Sequence, residues 1–71
     1  MTVIWEQSGE AYYATVTAPS GEVAFHLIVE SVGGYWDWAV WRPDEGRNAA
    51  RHGIAATVQE AMREAERATR D

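Results

Sequence analysis

Between short turn-like clusters, the first 41 residues alternate apolar and polar side chains with a period of two, the signature of half-buried strands. The clusters are Ser8-Gly9, Pro19-Ser20-Gly21 and Val32-Gly33-Gly34, residue types that supply the backbone angles of tight turns. They separate four runs rich in Val, Thr, Tyr, Trp and Ile, near residues 2–6, 11–17, 22–30 and 35–42. Connections this short join antiparallel neighbours, so a four-stranded meander is predicted, with Pro43 ending its last strand.

Pairing across the turns assigns the faces. With Glu30 opposite Tyr35, Val23, Phe25, Leu27 and Val29 share a face with Trp36, Trp38 and Val40. With Thr17 opposite Glu22, Tyr12, Ala14 and Val16 join it; with Glu6 opposite Ala11, so do Val3 and Trp5. All three turns assemble one nearly continuous apolar surface, which is the predicted core. The other face then holds Thr2, Ile4, Glu6, Tyr13, Thr15, Thr17, Glu22, Ala24, His26, Ile28, Glu30, Tyr35, Asp37, Ala39 and Trp41. Aromatic and aliphatic side chains are interleaved there with carboxylates. The aromatic-rich stretch Tyr35-Trp36-Asp37-Trp38-Ala39-Val40-Trp41, with three of the four tryptophans, is thereby divided between the faces.

Residues 43–53 read as a loop, with Asp44, Gly46 and Asn48 as turn formers, room for a short strand near 48–52, and Gly53 as a chain-reversal glycine. After it the period changes. Thr57 followed three residues later by Glu60 forms a capping box, and Val58, Ala61, Met62, Ala65 and Ala68 recur at helical spacing. The small Ala61 and Ala65 would let this helix lie close to the bulky core tryptophans. Glu60–Arg63, Glu64–Arg67 and Glu66–Arg70 are spaced as weak surface pairs. The predicted architecture is α+β, a four-stranded antiparallel β-meander with one C-terminal α-helix packed on one face. Residues 1–71 form a single β-β-β-β-α domain.

Composition narrows the functional classes. Seventy-one residues hold one small core. The chain has no cysteine, so its stability must come from the core, which 46% hydrophobic residues can supply. The N-terminus lacks a basic segment followed by a long apolar run, so neither a signal peptide nor a membrane span is expected, and the cytoplasm is the expected compartment. The net charge of −5 is uneven. Residues 1–41 carry Glu6, Glu10, Glu22, Glu30 and Asp37 and no Lys or Arg, whereas the six arginines further on are balanced by six acids. Nucleic-acid binders show the reverse, a basic stripe, so no nucleic-acid partner is expected.

No catalytic or cofactor motif is present, and neither enzymatic activity, a cofactor nor a metal is expected. His26 and Asp37 fall on the outer face near Glu30 and Glu22, a set that could in principle hold a metal or move a proton. The only other imidazole is His52, in the loop, and no metal-binding spacing exists; a surface histidine beside acids is the commoner arrangement. Arg42, Arg47, Arg51 and His52 form a local basic patch that Asp44 and Glu45 would neutralise. The outer aromatics Tyr13, Tyr35 and Trp41 could stack bases only beside a cationic groove, and here they sit beside carboxylates. Protein contact fits better. Tyr13, Ile28, Tyr35 and Trp41 are the candidate anchors, with Glu30, Asp37 and Glu22 selecting a basic partner. A covering of Trp41 and Tyr35 by the 43–53 loop is the plainer alternative.

Two segments carry a family resemblance. Gly33-Gly34-Tyr35-Trp36-Asp37-Trp38 resembles the GGYW-containing second strand of HicB-type antitoxin domains. Gly53-Ile54-Ala55-Ala56-Thr57-Val58-Gln59-Glu60-Ala61 resembles the same family's G-x-T-x-x-E-A approach to its helix. The likeness covers about residues 22–70. It departs from the family in lacking a P-D-L-P-G-C stretch, of which Pro43-Asp44 is the only remnant. It also has an additional N-terminal strand and no counterpart of the C-terminal DNA-binding domain. The resemblance implies a β-β-β-α module that neutralises a small basic RNA-cleaving toxin by protein contact. The functional expectation is a protein-interaction module, antitoxin-like or an accessory of mobile DNA, meeting a basic partner or a second copy of itself. The alternative is an acidic phage- or mobile-element-encoded inhibitor that imitates nucleic acid.

Overall fold

The computed structural model describes residues 3–46 and 50–70. Thr2, expected on the outer face, and Arg47 and Asn48, expected in the basic patch and as a turn former, lie outside the described residues. The chain forms strands β1 (Glu6–Ser8), β2 (Ala11–Thr17), β3 (Val23–Val32), β4 (Tyr35–Trp41) and β5 (Arg51–Ala55), followed by helix α1 (Val58–Ala68). The strands make one antiparallel sheet in sequential order, and α1 packs against β3, β4 and β5. None of its helices is long and apolar enough to cross a membrane, among the described residues.

The meander with one packed helix is as predicted, but the sheet has five strands rather than four. The fifth, Arg51-His52-Gly53-Ile54-Ala55, offers a single strong β-former, Ile54. Its strand state follows from docking beside β4, where Val40 faces Arg51 and Trp36 faces Ala55. Gly53 is therefore not a chain-reversal glycine. It lies within β5 opposite Trp38, and a Cβ there would stand 2.8 Å from the Trp38 ring atom Cζ2. The indole lies directly on the strand backbone, an approach that only glycine permits.

The β1–β2 and β3–β4 hairpins are also tighter than predicted. Val32 faces Tyr35 across a two-residue Gly33-Gly34 turn, both glycines having positive φ, as this hairpin type demands. Consequently Glu30 faces Asp37 rather than Tyr35. Glu6 likewise faces Tyr13 rather than Ala11. Val16 faces Phe25, and a bulge at Val16/Thr17 sets Thr17 opposite Val23 rather than Glu22. The β1–β2 and β3–β4 ladders, and β2–β3 as far as Val16, are displaced by two residues, which keeps their side chains on the predicted faces; beyond the bulge, at Thr17 and Val23, the displacement is one. Strand β1 also begins later than predicted, at Glu6.

The core lies between one sheet face and α1. Ala14, Val16, Leu27 and Val40 pack there with Ala65 and Ala68 of the helix, and Val3, Trp5, Phe25 and Trp38 border them. Tyr12 and Trp36 meet on the same face, ring centroids 6.1 Å apart. Thr57 caps the helix, its hydroxyl accepting from the Glu60 amide at 3.1 Å, as predicted. Two longer ties are less obvious from spacing. The Trp5 indole N–H donates to Glu66 Oε2 at 3.0 Å, and Arg51 Nη1 donates to the Ala68 carbonyl at 3.3 Å. The second satisfies a carbonyl in the last helical turn with a cation.

Candidate functional site

The helix leaves the second sheet face uncovered, and the registers order that face into cross-strand rows. One row runs Glu6–Tyr13–Ile28–Ala39–His52 from β1 to β5. Beside it runs Thr15–His26–Trp41, and on the other side Ser8–Ala11–Glu30–Asp37–Ile54. Val32 and Tyr35 close the far end. All six predicted site residues, Tyr13, Ile28, Glu30, Tyr35, Asp37 and Trp41, thus belong to one surface.

They do not play equal parts in it. Tyr13 and Tyr35 are exposed, and Glu30, Asp37 and Trp41 are partly exposed. Ile28 is only 4% exposed; it forms a floor between its neighbours and presents little surface of its own. The Trp41 ring stacks on the His26 imidazole, centroids 5.5 Å apart and planes 25° from parallel. These rings, with Ile4, Glu6, Tyr13 and Ile28, line a shallow groove of about 350 Å³. At the opposite end, Glu30 and Asp37 face each other directly across β3 and β4. Like charges placed so are unfavourable in a sheet.

Ile4, Val32 and Ile54 are exposed members of this face that sequence reasoning did not single out. Ile54 is 67% exposed and Ile4 73%. Val32 had been assigned to a turn and Ile54 to the segment before the helix, so neither entered the strand pattern. Glu22, expected to join the selecting carboxylates, is exposed at the β2–β3 connection, away from the Glu30–Asp37 pair.

The other candidate clusters separate. His26 faces Trp41 whereas Asp37 faces Glu30, and among the described residues no three His, Asp or Glu side chains are placed to hold a metal ion. The basic patch divides: His52 lies on the outer face, whereas Arg42 and Arg51 lie on the helix side of the sheet. Arg42 lies 5.4 Å over the Phe25 ring and 3.9 Å from Glu45 Oε1, and Arg51 is held by the helix C-terminus. Neither contributes positive charge to the outer face. Comparison with family models, curated proteins and solved structures gives no match to this chain.

Proposed function

We propose that this chain is a non-enzymatic protein-interaction module whose contact surface is the outer sheet face. The observation that carries the reading is the placement of exposed large apolar side chains. Among the described residues, Ile4, Tyr13, Val32, Tyr35 and Ile54 lie on that face and only Val23 lies elsewhere. Scattered exposed apolar residues need no explanation, but a collection on one face marks a surface that is covered in use. Its large tyrosines and tryptophan suit interface anchoring.

The charge favours a basic partner. Glu6, Glu30 and Asp37 lie on the face, and the described arginines lie off it, at Arg42 and Arg51 beneath the sheet and at Arg63, Arg67 and Arg70 on or beside α1. A nucleic-acid mimic would need carboxylates in regular rows, whereas here Tyr13, Ile28 and Ala39 separate Glu6 from the other two. The HicB-like resemblance supplies one partner of the favoured chemistry, a small basic toxin.

A photoreactive residue installed at Tyr35 or Ile54, and for contrast at Arg63 on the helix, tests the reading in native-host cells. Adducts are expected from the two sheet-face positions and not from Arg63. Equal adducts from all three, or none from the sheet face, would overturn it, and an adduct of twice the chain mass would identify self-association.

A further inference from the structure

Resting on that reading, we propose that the groove at the β1 end of the outer face is a receptor for an arginine side chain of the partner. Its walls combine two chemistries. On one side the His26–Trp41 pair presents flat stacked rings; on the other stands the exposed Glu6 carboxylate, with Tyr13 between them and Ile28 as an apolar floor. A guanidinium is planar, stacks on aromatic faces and offers a fork of donors to a carboxylate, and its methylene stem tolerates an apolar floor. A lysine ammonium lacks the plane and the fork.

The charge environment selects the same occupant over a second copy of this chain. Glu6 lines the groove and the opposed Glu30 and Asp37 lie one row beyond, while no arginine of the described residues reaches this face. Two such grooves brought together would bring two Glu6 carboxylates and no arginine of the described residues. An arginine from a basic protein relieves that excess and fills the groove.

The test is titration of the whole chain with N-acetyl-arginine amide, and in parallel with its neutral analogue N-acetyl-citrulline amide, followed by backbone and indole N–H NMR. The arginine compound should shift the Trp41 indole, His26, Tyr13 and Ile28 signals saturably, with a dissociation constant of about 1–10 mM, as one cation–aromatic contact and one exposed ion pair would give. Citrulline should not. Glu6→Gln, a change at an exposed side chain, should weaken the response roughly 2–5-fold. Trp41→Leu, once its backbone spectrum is shown to be folded, should weaken it by about 3-fold or more. Equal shifts from citrulline, or no saturable shift, would overturn the groove assignment. So would shifts centred on Val32, Tyr35 and Ile54, although the outer face would then still be the contact surface. Groove signals that move on dilution of the protein alone would assign the groove to a second copy. The cross-linking contrast between Tyr35, Ile54 and Arg63 judges the outer-face reading separately.

Discussion

Leu27 and Ile28 are consecutive residues of β3, point to opposite faces, and are buried to nearly the same degree, 1% and 4% exposed. Leu27 is enclosed by a second layer, the alanine stripe of α1 and the sheet residues around it. Ile28 has no second layer among the described residues. It is hidden by side chains of its own face, among them Tyr13, His26 and Trp41, which remain wholly or partly open to solvent themselves. Burial alone therefore does not distinguish a core from a surface primed for contact. What distinguishes them is whether the covering groups are covered in turn.

The difference can be broken most strongly on the enclosed side. Leu27→Ala should lose about 2–5 kcal/mol, because the cavity beneath a packed helix collapses incompletely. Ile28→Ala should lose only about 1–2 kcal/mol, since rings at an open face can settle into the gap. Urea unfolding of the two variants measures the contrast, and equal losses would show that the outer face is as closed as the core.

A smaller and sharper comparison lies within β5. Gly53→Ala directs a methyl group into the Trp38 indole and should destabilise by about 1–3 kcal/mol through overpacking. Ile54→Thr, one residue on and facing outward, should stay within about 0.5 kcal/mol of the parent while diminishing cross-linking from Tyr35. Thr57→Ala removes the helix cap seen at Glu60 and should cost about 1 kcal/mol. Because that loss loosens the inner layer, thermal unfolding should register it while the arginine-amide titration stays unchanged.

Much of this contrast is already written in the chain. The division of Trp36 and Trp38 from Trp41 follows from a period of two, and it survives the misjudged turn length because the β3–β4 ladder is displaced by two residues. An odd displacement would have turned the core outward. The helix was legible for a similar reason, since Thr57, Ala61, Ala65 and Ala68 satisfy a local cap and a local period. Strand β5 was legible only as room for a short strand near 48–52, three residues short of its end at Ala55. His52 and Gly53 are weak strand formers, and what makes them a strand is the neighbouring edge of β4, a non-local fact. The site divides in the same way. Tyr13, Tyr35 and Trp41 were visible as outward aromatics, but the groove depends on the His26–Trp41 stack and on Ile4 and Glu6 coming from a different part of the chain.

The bond between the Trp5 indole and Glu66 joins positions 61 residues apart, whereas every sheet pairing links strands adjacent in sequence. Hairpins that close short loops can form early, and a contact spanning so much of the chain must wait for both ends to be in place. The bond is therefore expected to close late, after the rate-limiting step. Trp5→Phe should accelerate unfolding and leave the refolding rate nearly unchanged, a pattern that stopped-flow measurements would read directly. A matching slowdown of refolding would place the clasp in the nucleus instead. A clasp that closes late would make the resistance of this small domain to transient opening reside less in its sheet than in the Trp5–Glu66 tie.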